Sequence, residues 1–303
     1  MLFKTQIALA IGSAFIATSA FSSVIPSEPK KPTYLITNMS GETQVQGQLG
    51  TQVYDQLLDG LKKDQTAVVY SQWKNAGGTS ASLLAALKNG QNLTNEGTIW
   101  VLGGGNYGNY AEGMGNSNGV TATLTNEGII YVKSDAWFEG TKAMGANKGA
   151  TIVNNKTIVV EGGVGMYANS GADGEIVNKG TIEVKTSDTA DVVSVGMAWN
   201  KSNAELTSFR NDAGGQILVD GESAFGVWAE KIKENSTFEN AGSIIATNGG
   251  TAITASKATN FTLALSGDSH IEGKVALNDD ANITATDLTS TEETLDLVNS
   301  NLS

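Results

Sequence analysis

A glycine-rich turn, one serine–histidine pair and a scatter of carboxylates are the residues of this 303-residue chain whose types and spacing could do chemistry. Gly103-Gly104-Gly105-Asn106-Tyr107-Gly108 has the G-x-G-x-x-G spacing and follows a strand-like run, as a dinucleotide-binding turn would. Such a turn needs an amphipathic helix after it, aiming backbone N–H groups at a pyrophosphate, and none follows. A glycine-rich loop between strands is expected instead. Gly267-Asp268-Ser269-His270 sets a serine beside the chain's single histidine. Neighbours on an alternating strand point to opposite faces, so this imidazole is badly placed to take the proton of that hydroxyl. A turn leading into a strand is expected there. One histidine and no cysteine leave nothing from which to build a zinc or thiolate site. The expectation is no catalytic residue, no metal and no cofactor.

Paired carboxylates with a nearby Arg or Lys are the remaining route to catalysis. Glu96, Glu127, Glu183 and Asp212 are read as scattered rather than as a catalytic pair, and the one arginine, Arg210, lies inside a repeat phrase. The elements that would have to position such groups are written in residues 143–184, where one sentence occurs twice. A small–Met–x–Ala–Asn phrase (143–147, then 165–169) is followed by an apolar–Val–Asn phrase and an alternating run, 152–160 and 176–184. The strand phrase recurs at 93–101, 124–132, 209–219 and 238–246. Its shared asparagines are Asn95, Asn126, Asn154, Asn178, Asn211 and Asn240, giving successive spacings of 31, 28, 24, 33 and 29 residues. Repeats of that length indicate a solenoid.

Within each repeat the apolar residues sit two apart, as in Gly180-Thr181-Ile182-Glu183-Val184, which is the strand period. Gly, Asn, Asp and Ser separate the runs and build turns. One repeat cannot bury its apolar edge alone, and stacking supplies each strand with parallel neighbours. The expected fold is therefore all-β, a right-handed parallel β-helix over 91–285, with the asparagines stacked as a structural amide ladder. Asn-x-Ser/Thr sites such as Asn155-Lys156-Thr157 are read as polar turns.

The flanks read differently. Residues 1–22 have a signal-peptide pattern, with Lys4, an apolar run from Ile7 to Ile16 and small residues near Ala20. Residues 23–50 hold all 3 prolines and read as a low-order leader. Residues 51–90 read as a small mixed α/β cap, with a helix over 52–63, a strand from Thr66 to Trp73 and a helix from Ser80 to Lys88. Residues 286–303 read as a polar tail. The net charge of −12 argues against nucleic acid, whose phosphates need a basic patch.

The phrases N-x-G-T-I-x-V (178–184), G-M-Y-A-N (165–169) and G-D-S-x-I-x-G (267–273) resemble the passenger domains of bacterial autotransporters, the type V secretion system. The resemblance covers roughly 91–285 and the signal peptide. It implies export through the periplasm, passage across the outer membrane and display of a rod at the cell surface or its release. Such passengers end in a translocating β-barrel of alternating strands. Residues up to Ser303 carry no such pattern, so the expectation is that the translocator is not present in this chain.

If Ile99, Ile130, Ile158, Ile182, Ile217 and Ile244 face inward, the next residues face outward: Trp100, Tyr131, Val159, Glu183, Leu218 and Ile245. Stacking lines them up as a mostly apolar stripe, the candidate interaction surface. The expected function is adhesion or self-association through the side faces, without catalysis. The partner would be a host-surface or matrix ligand, or another copy of the rod. The alternatives are a β-helix polysaccharide-degrading enzyme, which needs a carboxylate cluster on neighbouring coils, and an inert structural stalk.

Overall fold

The computed structural model describes residues 26–27, 34–39, 42–45, 48–49, 60–71, 81–104, 111–135, 138–288 and 296–297. Each repeat makes one coil of three short strands, and like strands of successive coils pair in parallel to form three sheets. One complete coil is Thr157–Glu161, Gly163–Ala168 and Glu175–Asn178; the next is Thr181–Lys185, Ser194–Trp199 and Ser208–Asn211. The first sheet has 11 strands, the second 9 and the third 8 among the described residues. The parallel part of the first sheet holds nine strands, so at ~4.8 Å per step the rod is about 40 Å long. The all-β parallel β-helix read from the repeats is the architecture observed.

The period of two explains the core. Every second residue faces the interior, and like residues sit above one another in register. Ile130 pairs with Ile99 and Ile158, and Ile182 pairs with Ile158 and Ile217. Met144 pairs with Met114 and Met166, and Ile152 with Leu124 and Ile176. All of these are fully buried. At ~1.5–3 kcal/mol for each large apolar side chain removed from water, this column-by-column burial supplies the stabilisation that no single coil possesses. Two phenylalanines of the third sheet, Phe209 and Phe238, continue the stack with ring centroids 5.1 Å apart.

The small residue before each Met or its equivalent has a packing cause. A Cβ on Gly196 would stand 2.7 Å from the carbonyl oxygen of Gly226 and 3.2 Å from the Ile217 and Val184 methyl groups. Gly196→Ala is expected to destabilise the chain by about 1–3 kcal/mol, the usual cost of overpacking, read as a lowered urea midpoint with an unchanged slope.

The flanks differ from the sequence reading. Residues Ala81–Ala86 are a strand of the second sheet, not a helix, with Leu84 in register with Met114. Burying Leu84 in the stack overrides the helical preference of an Ala- and Leu-rich segment. Thr66–Ser71 is a strand as expected, and its pairing with Thr98–Gly103 makes it part of the coil stack. The helix expected over 52–63 lies outside the described residues up to 59, and Leu61 is a bridge to Asn95. In the stretch read as a low-order leader, Tyr34–Met39 extends the first sheet in parallel. Glu42–Val45 and Gln48–Leu49 follow it antiparallel. An antiparallel ending closes the stacking edge. At the other end Asn282–Leu288 and Asp296–Leu297 carry the pairing into the stretch read as a tail. The signal-peptide residues lie outside the described residues.

Candidate functional site

The asparagine that ends six of the third-sheet strands turns the chain into the next coil. Asn95 Nδ2 donates to Asn126 Oδ1 at 2.7 Å, and the donation repeats at 2.8 Å through Asn154, Asn178, Asn211 and Asn240. Asn240 closes the series by donating to Ser269 Oγ at 2.7 Å. All six amides and Ser269 are fully buried. From Asn126 onward each amide also donates to its own turn, as Asn178 Nδ2 does to the Gly180 carbonyl at 3.1 Å, whereas Asn95 Oδ1 accepts from the Gly97 N–H. The ladder is a structural device. Ser269 is its last rung, and His270 beside it sits on a strand paired with Ser243. The serine–histidine pair is therefore a turn entering a strand. Of the glycine-rich turn, only Gly103 and Gly104 are described; strand Thr98–Gly103 ends there, and a Cβ on Gly103 would overlap the Thr141 hydroxyl.

The stripe forms in the expected register: Tyr131 pairs with Trp100 and Val159, Glu183 with Val159 and Leu218, and Leu218 with Ile245. It is not an open surface. Trp100 is 4%, Val159 1% and Leu218 7% exposed, while Tyr131 and Ile245 are half-buried. Trp100 joins Val68, Leu102 and Tyr131 in an apolar cluster outside the main core, its ring 4.5 Å from that of Tyr131. Pro26 and Ser27 line the same cavity as Trp100 and Leu102, together with Lys133, Glu161 and residues 187–189. Burial, first, and the Glu183 carboxylate, second, push the Tyr131 hydroxyl's pKa up. Alternation places the stripe outward correctly, but it carries no signal for what folds over a sheet.

Four successive strands of the second sheet, Ala111–Asn116, Thr141–Ala146, Gly163–Ala168 and Ser194–Trp199, are buried on both faces. The sheet's outer face holds Val164, Tyr167, Val195 and Ala198, edged by half-buried Phe225 and Trp228. Beside them is a charged cluster that the repeat pattern did not single out. Glu112 and Lys142 are paired across neighbouring coils and are 7% and 8% exposed. Lys142 Nζ donates to Asn169 Oδ1 at 2.8 Å and lies 4.8 Å from the Tyr167 ring centroid. Burial, its largest cause, lowers the Lys142 pKa; Lys201 acts in the same direction, and Glu112 and Glu139 oppose it. Glu139 is occupied elsewhere, accepting from Asn200 Nδ2 at 2.5 Å and pairing with Lys201 at 2.9 Å. The only sequence signal was charge at outward positions of the second-sheet phrase, which resembles any solvated face.

The third sheet's outer face is open. Along it run Thr94, Thr125, Val153, Val177, Arg210, Glu239 and Ala264, beside Thr123, Thr151, Glu175, Ser208, Thr237 and Thr262. All but Val177 are half-buried or exposed. Arg210 lies 3.6 Å from Glu175 and 3.7 Å from Asp212.

Residues 139–235 match the family model of the BigA fourth domain, a bacterial surface protein domain. That match spans the coils carrying Glu139, Lys142, Asn169 and Arg210. No curated protein and no solved structure matches the chain. The matched stretch and the parallel coils together describe a β-helix similar to a bacterial surface protein domain.

Proposed function

We propose that this chain is an adhesion or self-association module of a bacterial surface rod, exported in the manner of an autotransporter passenger, and that it binds through the outer face of the third sheet without catalysing a reaction. One observation carries the choice of face. The stripe of the first sheet and the outer side of the second are buried, whereas the third presents hydroxyls and charges in straight columns. Columns ~4.8 Å apart along the rod offer a rigid, regular hydrogen-bonding array with no ordering cost on this side of the contact. The similarity to the BigA fourth domain supports surface display. The partner is a host-surface or matrix ligand or a second rod.

The test displays residues 24–303 on a surrogate translocator barrel and scores cell clumping and binding to matrix and glycans. Thr125→Glu with Thr151→Glu is expected to abolish clumping or binding while leaving the circular dichroism of the purified chain unchanged. Undiminished binding in that folded variant would sink the assignment. The burial of the stripe favours a second reading, a stalk that only displays other segments; a complete lack of clumping and binding by the parent chain would support it.

A further inference from the structure

The second sheet's outer face carries a lysine, an asparagine and a glutamate brought together from three turns of the chain. Glu112 and Lys142 occupy one outward column in adjacent coils. Asn169 follows the next strand of that sheet, Gly163–Ala168, and its side chain returns over Gly145. A Cβ on Gly145 would overlap Glu112 Oε1 and stand 2.9 Å from Asn169 Nδ2; one on Gly115 would overlap Glu112 Oε2. Other coils place Ala85, Tyr167 and Ala198 at this column position. Two glycines thus vacate the space that the Glu112 carboxylate fills, against the asparagine's amide. Lys142 Nζ is already 2.8 Å from Asn169 Oδ1, one bond from the amide carbon. Tyr167 and Val164 supply apolar shielding, and Glu139 is held by Asn200 and Lys201.

We propose that Lys142 and Asn169 become joined by an intramolecular amide (isopeptide) bond, with Glu112 carrying the proton. The Lys142 amine, in its neutral form, adds its lone pair to Asn169 Cγ and leaves a tetrahedral centre with the negative charge on Oδ1. Glu112 takes a proton from Nζ and delivers it to Nδ2. The Cγ–Nδ2 bond then breaks, ammonia departs and the carbonyl re-forms. Nothing is oxidised or reduced, and no co-reactant is consumed. Burial supports the neutral amine that this step needs, because removing charge from water favours the uncharged form. The product ties two adjacent coils across 27 residues in a chain that has no cysteine with which to make a disulfide.

The experiment is peptide mapping of the purified full chain after complete trypsin digestion under denaturing conditions. The expected result is a branched species joining residues 134–148, uncut after Lys142, to residues 157–179. It is lighter than the two peptides together by one ammonia, and its fragment ions place the branch at Asn169 rather than Asn178. Recovery of 157–179 as a free peptide together with normal cleavage after Lys142 would overturn the proposal without recourse to any variant. Lys142→Arg and Glu112→Gln are each expected to reduce the branched species to background. A branch persisting at parental yield in Glu112→Gln would remove the carboxylate from the mechanism. Neither reading depends on whether the third sheet binds a partner.

Discussion

Asn154→Ala is expected to lower the unfolding free energy by about 3 kcal/mol, because it takes the ladder partner from a buried N–H of Asn126 and from the buried Oδ1 of Asn178, at ~1–3 kcal/mol each. Asn154 accepts from Asn126 at 2.8 Å and donates to Asn178 at 2.8 Å, and it also donates to the Lys156 carbonyl at 3.1 Å. All three asparagines are fully buried, so water cannot replace the missing partner. The adjacent Asn155 is the control. It bonds Glu127 from an exposed site, and Asn155→Ala is expected to fall within about 0.5 kcal/mol of the parent. Urea unfolding of both variants checks the contrast. A loss below about 1 kcal/mol for Asn154→Ala would mean that the flanking amides re-pair and that the ladder is not a cooperative unit.

Trp100→Ala is expected to cost about 3–5 kcal/mol, the range for deleting a large buried aromatic. The indole fills the cluster with Val68 and Leu102, and it packs on Tyr131 with ring planes 31° apart. The sequence alone assigned this residue to a binding stripe, for which mutation would weaken association and spare the fold. The structure reverses that: Trp100→Glu combined with Tyr131→Lys should unfold the N-terminal coils before it affects any partner. Thermal unfolding followed by circular dichroism decides between the two. A variant as stable as the parent would mean that the stripe is open in solution and would restore it as the contact surface.

What was legible in the sequence follows from what a repeat can record. The alternation in Thr181-Ile182-Glu183-Val184, the recurring Asn and the small residue before Met state which side chains face inward and which stack. They therefore gave the strands, their register and the ladder, down to the structural reading of Ser269. Covering segments leave no such trace, because an outward Val159 looks the same whether water or another part of the chain lies over it. The misread helix at 81–86 has the related cause that local propensity was weighed without its neighbour Met114. The Glu112–Lys142–Asn169 cluster was missed because its asparagine recurs in the repeat phrase, as Asn147 and Asn169, while Glu112 and Lys142 stand in a column where other coils carry Ser82, Val164, Val195 and Phe225. Periodic reading finds what recurs, and a single-copy site is invisible to it.

The ladder also separates length from alignment. Asn154 and Asn178 are 24 residues apart, Asn178 and Asn211 are 33 apart, and the amide bond is 2.8 Å in both coils. The difference, 33 − 24 = 9 residues, leaves the rod sideways as loop while the next strand begins in the same place. A backbone with that property accepts inserted segments, chiefly between its first and second sheets, without disturbing what lies above or below. It can thus change its outward decoration one coil at a time.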